Sequence, residues 1–310
     1  MKKISIVVPC YNEEAVVNLF YIEIQKYFDP KYKFQLVFVD DGSKDRTLEI
    51  IQSLSENDKR IRYVSFSRNF GKEAAMLAGL EAAKKTNSDA VIMIDADLQD
   101  PPSLIPEMLT YYEQGYKHIY TKHKTRKGEP FLKTFFAMLF YKIYALLTGN
   151  RNLARGARDF CLLDATVVDA FLAVKDYRRF TKGIFTWVGF EKKCIEFDYQ
   201  HRAAGKTKWS FRKLFRYALL GIRQFSNLYL VLSGIFTVFG SLILIVEIVI
   251  GFINGFNWLA LRIEVLCLIV ILSVYFMMRL LYEIREQGLN RPIYITKESN
   301  IVGEDNEETD

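Results

Sequence analysis

Two aspartates separated by one alanine follow an apolar run in the sequence VIMIDADLQDPP, residues 91–102. In an extended segment side chains alternate between faces, so Asp95, Asp97 and Gln99 are predicted to point the same way. Carboxylates on one face repel each other unless a positive charge lies between them. Mg²⁺ or Mn²⁺ would suit, because hard cations take oxygen ligands and are often shared with substrate phosphates. The motif therefore suggests a metal site, with a solvated corner between strand and loop as the alternative.

Polar side chains also follow the three earlier apolar runs of the chain. These runs alternate with helical patterns, which is typical of a mostly parallel α/β sheet covered by helices on both faces. Ligands bind beyond the carboxyl ends of the strands in such sheets. We therefore expect one site that collects the polar groups of all four runs. They are Tyr11, Glu13 and Glu14, then Asp40 and Asp41, then Arg68 and Asn69, and finally Asp95 and Asp97.

Several other kinds of site find no support in the sequence. Neither a P-loop nor a G-x-G-x-x-G motif occurs, so a glycine cradle does not hold phosphates. His118, His123 and His201 have no nucleophile-elbow context, which argues against a Ser-His-Asp hydrolase. The cysteines have neither metal nor redox spacing and are interpreted as free thiols; they are Cys10, Cys161, Cys194 and Cys267.

Half of the 310 residues are hydrophobic, and the most apolar of them lie in two runs near the C-terminus. The first run is long enough to span a bilayer, and the second contains Arg262 and Glu264 near its start. We predict transmembrane helices over 228–252 and 258–282, joined by the turn INGFN, with a buried core helix pair as the alternative. Folding the hairpin about this turn places Glu247 opposite residues 262 and 263, which predicts a Glu247–Arg262 contact. The alternative is that both side chains extend separately to the headgroups.

Lysine and arginine residues are concentrated on both sides of this hairpin, and the chain has a net charge of +6. By the positive-inside rule both ends of the hairpin are predicted to face the cytoplasm. The protein would then be a multi-pass protein of the cell membrane, with its globular part and both termini cytoplasmic. Because the basic residues lie beside apolar segments, an anionic bilayer is a better predicted partner than nucleic acid.

Two flanking segments and the tail complete the predicted organisation. Residues 206–227 mix basic and aromatic side chains at helical spacing, as in a helix that lies at a membrane surface. Residues 131–147 are a second candidate for such a helix, with a core helix as the alternative. The segment 283–310 ends in GEDNEETD and is predicted to be a partly disordered cytoplasmic tail.

Six motifs in this order resemble the family 2 inverting glycosyltransferases: PCYNEE, VDDGSKDRT, SRNFGKEAAMLAGL, DADLQDPP, RDFCLLD and HRAAGKTKWS. The resemblance is to the polyprenyl-phosphate branch, which includes dolichol-phosphate mannose synthase and bactoprenol glucosyltransferase, and extends to about residue 282. It implies a GT-A catalytic domain over 1–205, a nucleotide-sugar donor, Mg²⁺ or Mn²⁺, and a lipid phosphate acceptor.

The resemblance also assigns roles to individual residues. Asp159 would be the catalytic base. Asp95, Asp97 and Gln99 would hold the metal and the diphosphate. The nucleotide would contact Pro9, Tyr11, Glu13, Asp40 or Asp41, Arg68 and Asp95. The acceptor and donor phosphates would contact Arg126, Arg202 and Lys208, for which a solvated basic loop is the alternative.

Three positions depart from the family pattern. His123 replaces an arginine and Cys161 replaces the arginine of DFRL, which puts the acceptor-phosphate affinity and the sugar pocket in question. Tyr229 stands where proline is frequent, at the entry to the membrane run.

The predicted reaction moves one sugar from a nucleotide diphosphate to undecaprenyl phosphate with inversion at the anomeric carbon. UDP-glucose is the first choice of donor, followed by UDP-GlcNAc and GDP-mannose. A phosphate monoester has a second pKa near ~6 and is mostly dianionic at neutral pH, so Asp159 is expected to position groups more than to remove a proton. The alternatives are a processive polysaccharide synthase, whose QxxRW signature is missing, and a non-catalytic membrane scaffold. Association into a homo-oligomer is compatible with the sequence.

Overall fold

The computed structural model describes residues 1–124, 131–149, 153, 156–198, 211–254 and 259–301. Within these residues the strands form one sheet in the order β7-β5-β6-β4-β1-β2-β3-β8. Their bounds are β1 (Lys3–Cys10), β2 (Lys33–Asp40), β3 (Ile61–Phe66), β4 (Ala90–Met93), β5 (His118–His123), β6 (Ala157–Asp164), β7 (Lys192–Phe197) and β8 (Thr296–Ser299).

The predicted parallel sheet is confirmed for the first four strands, which lie side by side as β3-β2-β1-β4. Their side chains are nearly all buried, because apolar cores cover both faces of the sheet. β6 runs antiparallel to β4 and β5. The chain leaves β1 between β2 and β4, at a topological switch point where α/β sheets bind ligands.

The helices cover both faces of the sheet and then continue away from it. Their bounds are α1 (Val17–Ile24), α2 (Thr47–Asn57), α3 (Lys72–Lys85), α4 (Ile105–Glu113), α5 (Phe131–Thr148), α6 (Ala165–Ala173), α7 (Thr181–Trp187), α8 (Phe211–Phe225), α9 (Leu228–Asn254) and α10 (Leu259–Gly288). α3 lies especially close to the sheet, since a Cβ on Gly79 would be 2.1 Å from Val7 Cγ1. Its first turn is thereby held at the carboxyl edge of β1.

The two long C-terminal helices have the length and apolar character needed to cross a membrane. The qualifying segments are Leu228–Ile253 and Val265–Gly288, with mean hydropathies of 2.5 and 2.3. Only 11% and 6% of their most apolar windows are buried within the protein, so their apolar surface faces outward. A buried core pair does not fit this exposure. The side chain of Arg262 lies outside the described residues, and the Glu247–Arg262 contact therefore stays a prediction.

The structure describes residues 283–301 of the segment that is predicted to be a partly disordered tail. α10 extends to Gly288, and β8 then pairs antiparallel with β3 at the edge of the sheet. The Tyr294 ring stacks on Phe66 with 4.7 Å between centroids. β8 forms there because the exposed edge of β3 offers unpaired backbone groups that a short polar segment can use. Residues 302–310 lie outside the described residues.

Candidate functional site

One ammonium group joins two of the predicted site carboxylates. Lys72 Nζ lies 2.7 Å from Asp95 Oδ1 and 2.6 Å from Asp159 Oδ2. Lys72 is the first residue of α3, Asp95 follows β4, and Asp159 lies in β6. A second cation, Lys182 Nζ in the first turn of α7, lies 3.8 Å from Asp159 Oδ1. The structure thus brings the predicted metal ligand and the predicted catalytic residue together around a lysine.

The charges of this cluster stabilise one another. Burial alone would raise the pKa of Asp159, but the ammonium groups of Lys72 and Lys182 lower it below its usual range. Burial likewise opposes the charge of Lys72, and the two carboxylates nevertheless raise the pKa of Lys72. The three side chains of Lys72, Asp95 and Asp159 are 26–28% exposed, so a ligand can reach them. Asp159 is therefore ionised at neutral pH and is a weak base.

A second ion pair fixes the strand that presents Asp159. Arg158 Nε donates to Asp100 Oδ1 at 2.8 Å, and the Asp100 side chain is 1% exposed. Burial raises the pKa of Asp100 to about 6, with Arg158 acting in the opposite direction. Because a buried carboxylate is costly without its partner, this pair ties β6 to the segment that follows β4.

The segment of Asp95 and Asp97 is not extended, and the predicted alternation is wrong. β4 ends at Met93, residues 96–100 form turns and bends, and Leu98 has a φ of 57°. The left-handed backbone of Leu98 cannot belong to an extended strand, so the side chains around it do not alternate between two faces. Asp97 is 8% exposed, and its Oδ1 accepts a hydrogen bond from Gln99 N at 3.1 Å. Asp95 is the more accessible of the two carboxylates.

The chemistry of Asp95 and Asp97 would suit a metal ion that is also bound by substrate phosphates. Within the described ranges, no group of three or more His, Cys, Asp or Glu residues could hold a metal ion. Mg²⁺ is commonly bound by one or two carboxylates and substrate phosphates, with water in the remaining positions. Asp95 and Asp97 match that donor set, and Asp95 already faces a cation in Lys72.

The loops after β1 and β2 interlock beside this cluster. Asn12 N donates to Ser43 Oγ at 2.9 Å, and Glu13 N donates to Thr47 Oγ1 at 2.7 Å. Pro9, Tyr11 and Glu13 are half-buried along this junction. The predicted nucleotide residues of the first loop thus lie at the switch point of the sheet.

Asp40 and Asp41 have partners within the protein. Asp40 accepts a hydrogen bond from Ser65 Oγ at 2.8 Å, whereas Asp41 accepts from the amide of Phe70 at 2.6 Å and from that of Gly71. Both residues are buried. They shape the loop that leads into Lys72, and their contact with a nucleotide stays a prediction.

The loop around Arg68 is packed against the neighbouring turn. The Arg68 guanidinium lies 4.1 Å from the centroid of the Phe70 ring and is exposed. Gly42 has a φ of 65°, and a Cβ there would lie 2.4 Å from the backbone carbon of Arg68. Only glycine therefore permits this approach of the loops after β2 and β3. The close packing leaves the Arg68 side chain at the surface, where a ligand can meet it.

Comparison with known proteins assigns the chain to a family. Residues 5–170 match the family described as Glycosyl transferase family 2. The protein belongs to this family. It is 36% identical to CsbB of Bacillus subtilis (strain 168), named a glycosyltransferase, over 99% of this chain and 94% of that protein. It is 33% identical to the bactoprenol glucosyl transferase of Shigella phage SfII, over 96% of this chain and 98% of that protein.

A solved structure shares the fold of this glycosyltransferase. It is the glucosyl-3-phosphoglycerate synthase of Mycobacterium tuberculosis, crystallised with Mg²⁺ and UDP. The TM-score is 0.50 and the identity 17%, over 70% of this chain and 76% of that one. The similarity confirms the GT-A fold that the sequence predicts.

Sequence reasoning did not find several charged residues of this candidate site. Lys72, Asp100, Arg158 and Lys182 form the ion pairs described above, yet none was a candidate. Lys72 follows the third strand, at the same edge of the sheet as the other candidates. This position could have identified it from the sequence. The predicted phosphate-binding residues Arg126, Arg202 and Lys208 lie outside the described residues.

Proposed function

We propose that this glycosyltransferase moves a single sugar from a nucleotide diphosphate sugar, with UDP-glucose as first candidate, to undecaprenyl phosphate. The observation that carries the proposal is the position of the Lys72–Asp95–Asp159 cluster. It lies beside α7, which packs against α8, and α8 leads directly into the apolar hairpin. The name of the phage relative supports glucose as the sugar and a bactoprenol carrier as the acceptor.

The surface around α8 suits an acceptor that cannot leave the bilayer. α5 packs one face inward through Tyr144, which is 1% exposed, in a cluster shared with Ile222 of α8. Its other face exposes the apolar residues Met138, Leu139, Ile143 and Leu146. Apolar surface next to basic residues is expected of helices that lie at the headgroup level. We therefore place α5 and α8 at the cytoplasmic membrane surface, with both ends of the hairpin on the same side.

The reaction consists of one displacement. An oxygen of the acceptor phosphate attacks the anomeric carbon from the face opposite the nucleotide. The bond between that carbon and the diphosphate oxygen breaks, its electron pair leaves with the nucleoside diphosphate, and the configuration inverts. A dianionic acceptor has no proton to lose, and the total charge is the same before and after transfer.

The residues of the cluster have distinct tasks in this reaction. Asp159 is held ionised by Lys72 and Lys182, and it orients these cations and the incoming acceptor. Asp95 and Asp97 would hold Mg²⁺ or Mn²⁺, which when bound offsets the charge on the leaving diphosphate. Lys72 adds fixed positive charge at the same edge.

The test is an assay of the purified full-length protein in nanodiscs with undecaprenyl phosphate and Mg²⁺. UDP-glucose, UDP-GlcNAc and GDP-mannose are supplied separately, and the lipid product is identified by mass spectrometry. We expect one hexose per lipid phosphate from UDP-glucose. A growing polymer would instead identify a processive synthase. Absence of transfer from every donor, together with retained fold, would identify a scaffold and overturn the proposal.

A further inference from the structure

A buried carboxylate next to the catalytic cluster joins three helices. Glu73, the second residue of α3, accepts a hydrogen bond from Tyr217 Oη of α8 at 2.7 Å. It also accepts hydrogen bonds from Thr181 of α7, one from the amide at 3.1 Å and one from the hydroxyl. Burial raises the pKa of Glu73, and its hydrogen bonds with Thr181 and Tyr217 oppose this rise. These neutral donors satisfy a group that is costly to bury alone.

The sequence neighbours of these residues are the cations of the catalytic cluster. Glu73 directly follows Lys72, and Thr181 directly precedes Lys182. Lys72 and Lys182 are also the two ammonium groups beside Asp159. One carboxylate therefore holds the first turns of the two helices that present these lysines.

The α8 helix is seated against α7 without spare room. A Cβ on Gly183 would lie 2.3 Å from Phe225 Cε2, and a Cβ on Gly221 would lie 2.9 Å from Phe180 Cδ1. The Tyr217 ring packs edge to face on Phe180 with 4.9 Å between centroids. A displacement of α8 would therefore move the Tyr217 hydroxyl relative to Glu73.

We infer that Tyr217 is a positioning residue, whose hydrogen bond to Glu73 makes the placement of Lys72 and Lys182 depend on how α8 is seated. Tyr217 acts through Glu73 and touches no reacting atom. The inference rests on the proposed function for its assay. Through this hydrogen bond, the position of α8 at the membrane surface would determine whether the catalytic cluster is correctly arranged.

The matched pair Tyr217→Phe and Tyr294→Phe tests this inference. Each substitution removes one tyrosine–glutamate hydrogen bond to α3, because Tyr294 Oη donates to Glu81 far from the site. We expect Tyr217→Phe to lower kcat about tenfold, with the KM for UDP-glucose changed less than about twofold. Tyr294→Phe should leave both constants near wild type. Wild-type kcat in Tyr217→Phe, or an equal loss in both variants, would overturn the inference.

A double-mutant cycle separates transmission through Glu73 from a general packing effect. If Tyr217 acts only through Glu73, Tyr217→Phe should cause no further loss of kcat once Glu73→Leu has removed the acceptor. Additive losses would overturn this route.

Hydrogen–deuterium exchange gives a readout that does not depend on the acceptor or on turnover. Tyr217→Phe should speed exchange of the amides in the first turns of α3 and α7, whereas Tyr294→Phe should not. Unchanged exchange at those turns would overturn the inference even if sugar transfer is confirmed. Faster exchange with no transfer by the wild type would overturn the proposed function alone.

Discussion

At the carboxyl edge of the sheet, buried polar groups meet as ion pairs, whereas between the two membrane-length helices they meet as neutral hydroxyls. Lys72 contacts Asp95 and Asp159 in the first region. In the second, Ser273 Oγ lies 3.2 Å from Ser233 Oγ and 2.9 Å from Thr237 Oγ1. Charged groups are costly to bury and are kept where a charged ligand will use them. At this contact the two helices approach closely, which the small residues Ser233, Thr237 and Ser273 permit.

The two regions are connected by ion pairs where the catalytic domain meets α10. Arg223 of α8 pairs with Glu283 of α10, and Arg178, which precedes α7, lies 3.8 Å from Glu286 of α10. α8 thus contacts the catalytic cluster on one side and the hairpin on the other. Substitutions in the two regions should accordingly separate, with those at the sheet edge changing rate and those between the helices changing stability.

The largest effect is expected from Asp95→Ala and Asp97→Ala. Each should lower kcat at least ~100-fold, because charge on the leaving diphosphate would lose its main compensation. EDTA should have the same effect and Mg²⁺ should reverse it. The control is Asp169→Ala, which removes an exposed ion pair with Lys84 and should keep full activity. Circular dichroism should report unchanged folding, and full activity in chelator would contradict the metal assignment.

The next effect is expected at Asp159. Asp159→Asn keeps the size of the side chain but removes the charge that Lys72 and Lys182 face, so kcat should fall about 100-fold with UDP binding nearly intact. Because the pKa of Asp159 lies below its usual range, the carboxylate stays ionised across the assay range. The wild-type rate should instead rise with pH around ~6, following the second ionisation of the acceptor phosphate. A rate that does not change between pH 5 and 8 would contradict the assignment of the pH dependence to the acceptor phosphate.

Features that depend on a local sequence pattern could be predicted, whereas features that depend on distant partners could not. The strands β1 to β4 were predictable, because a strand buried on both faces is apolar at nearly every position. Asp95 and Asp159 were found at a strand end and within a motif. Lys72 was not, since its partners are 23 and 87 residues away and a lysine beside Glu73 looks like an ordinary exposed first turn. β8 was missed because its four residues are polar, and only the edge of β3 makes them a strand.

A smaller effect, on stability, is expected from His118 of β5. It is 4% exposed, and burial together with Lys192 lowers its pKa to about 3. The folded-state pKa lies below the unfolded value of ~6.5, so the unfolded chain binds the proton first as the pH falls. The free energy of unfolding should therefore fall by about 1.4 kcal/mol for each pH unit between pH ~6.5 and pH 3.

His118→Phe should remove most of this acid sensitivity. The side chain borders a cavity of about 30 Å³, which leaves some room for the larger ring. The measurement is chemical unfolding in detergent at pH 7, 6 and 5. The slope of the free energy of unfolding against pH is compared between wild type and variant. Equal slopes would show that another group causes the loss.

The smallest effect is expected from the hydroxyl cluster of the hairpin. Ser273→Ala removes its contacts with Ser233 and Thr237, and hydrogen bonds between membrane helices contribute about 0.6 kcal/mol on average. The matched control is Ser241→Ala, whose exposed hydroxyl donates to Thr237 O within the same helix. Unfolding in detergent should show a loss of about 0.5–1 kcal/mol for Ser273→Ala, and less for the control. Glycosyl transfer in bilayers should be unchanged in both variants, since neither touches α8 or the charged cluster. A loss of kcat in Ser273→Ala without a loss of stability would contradict the prediction that substitutions between these helices change stability and not rate.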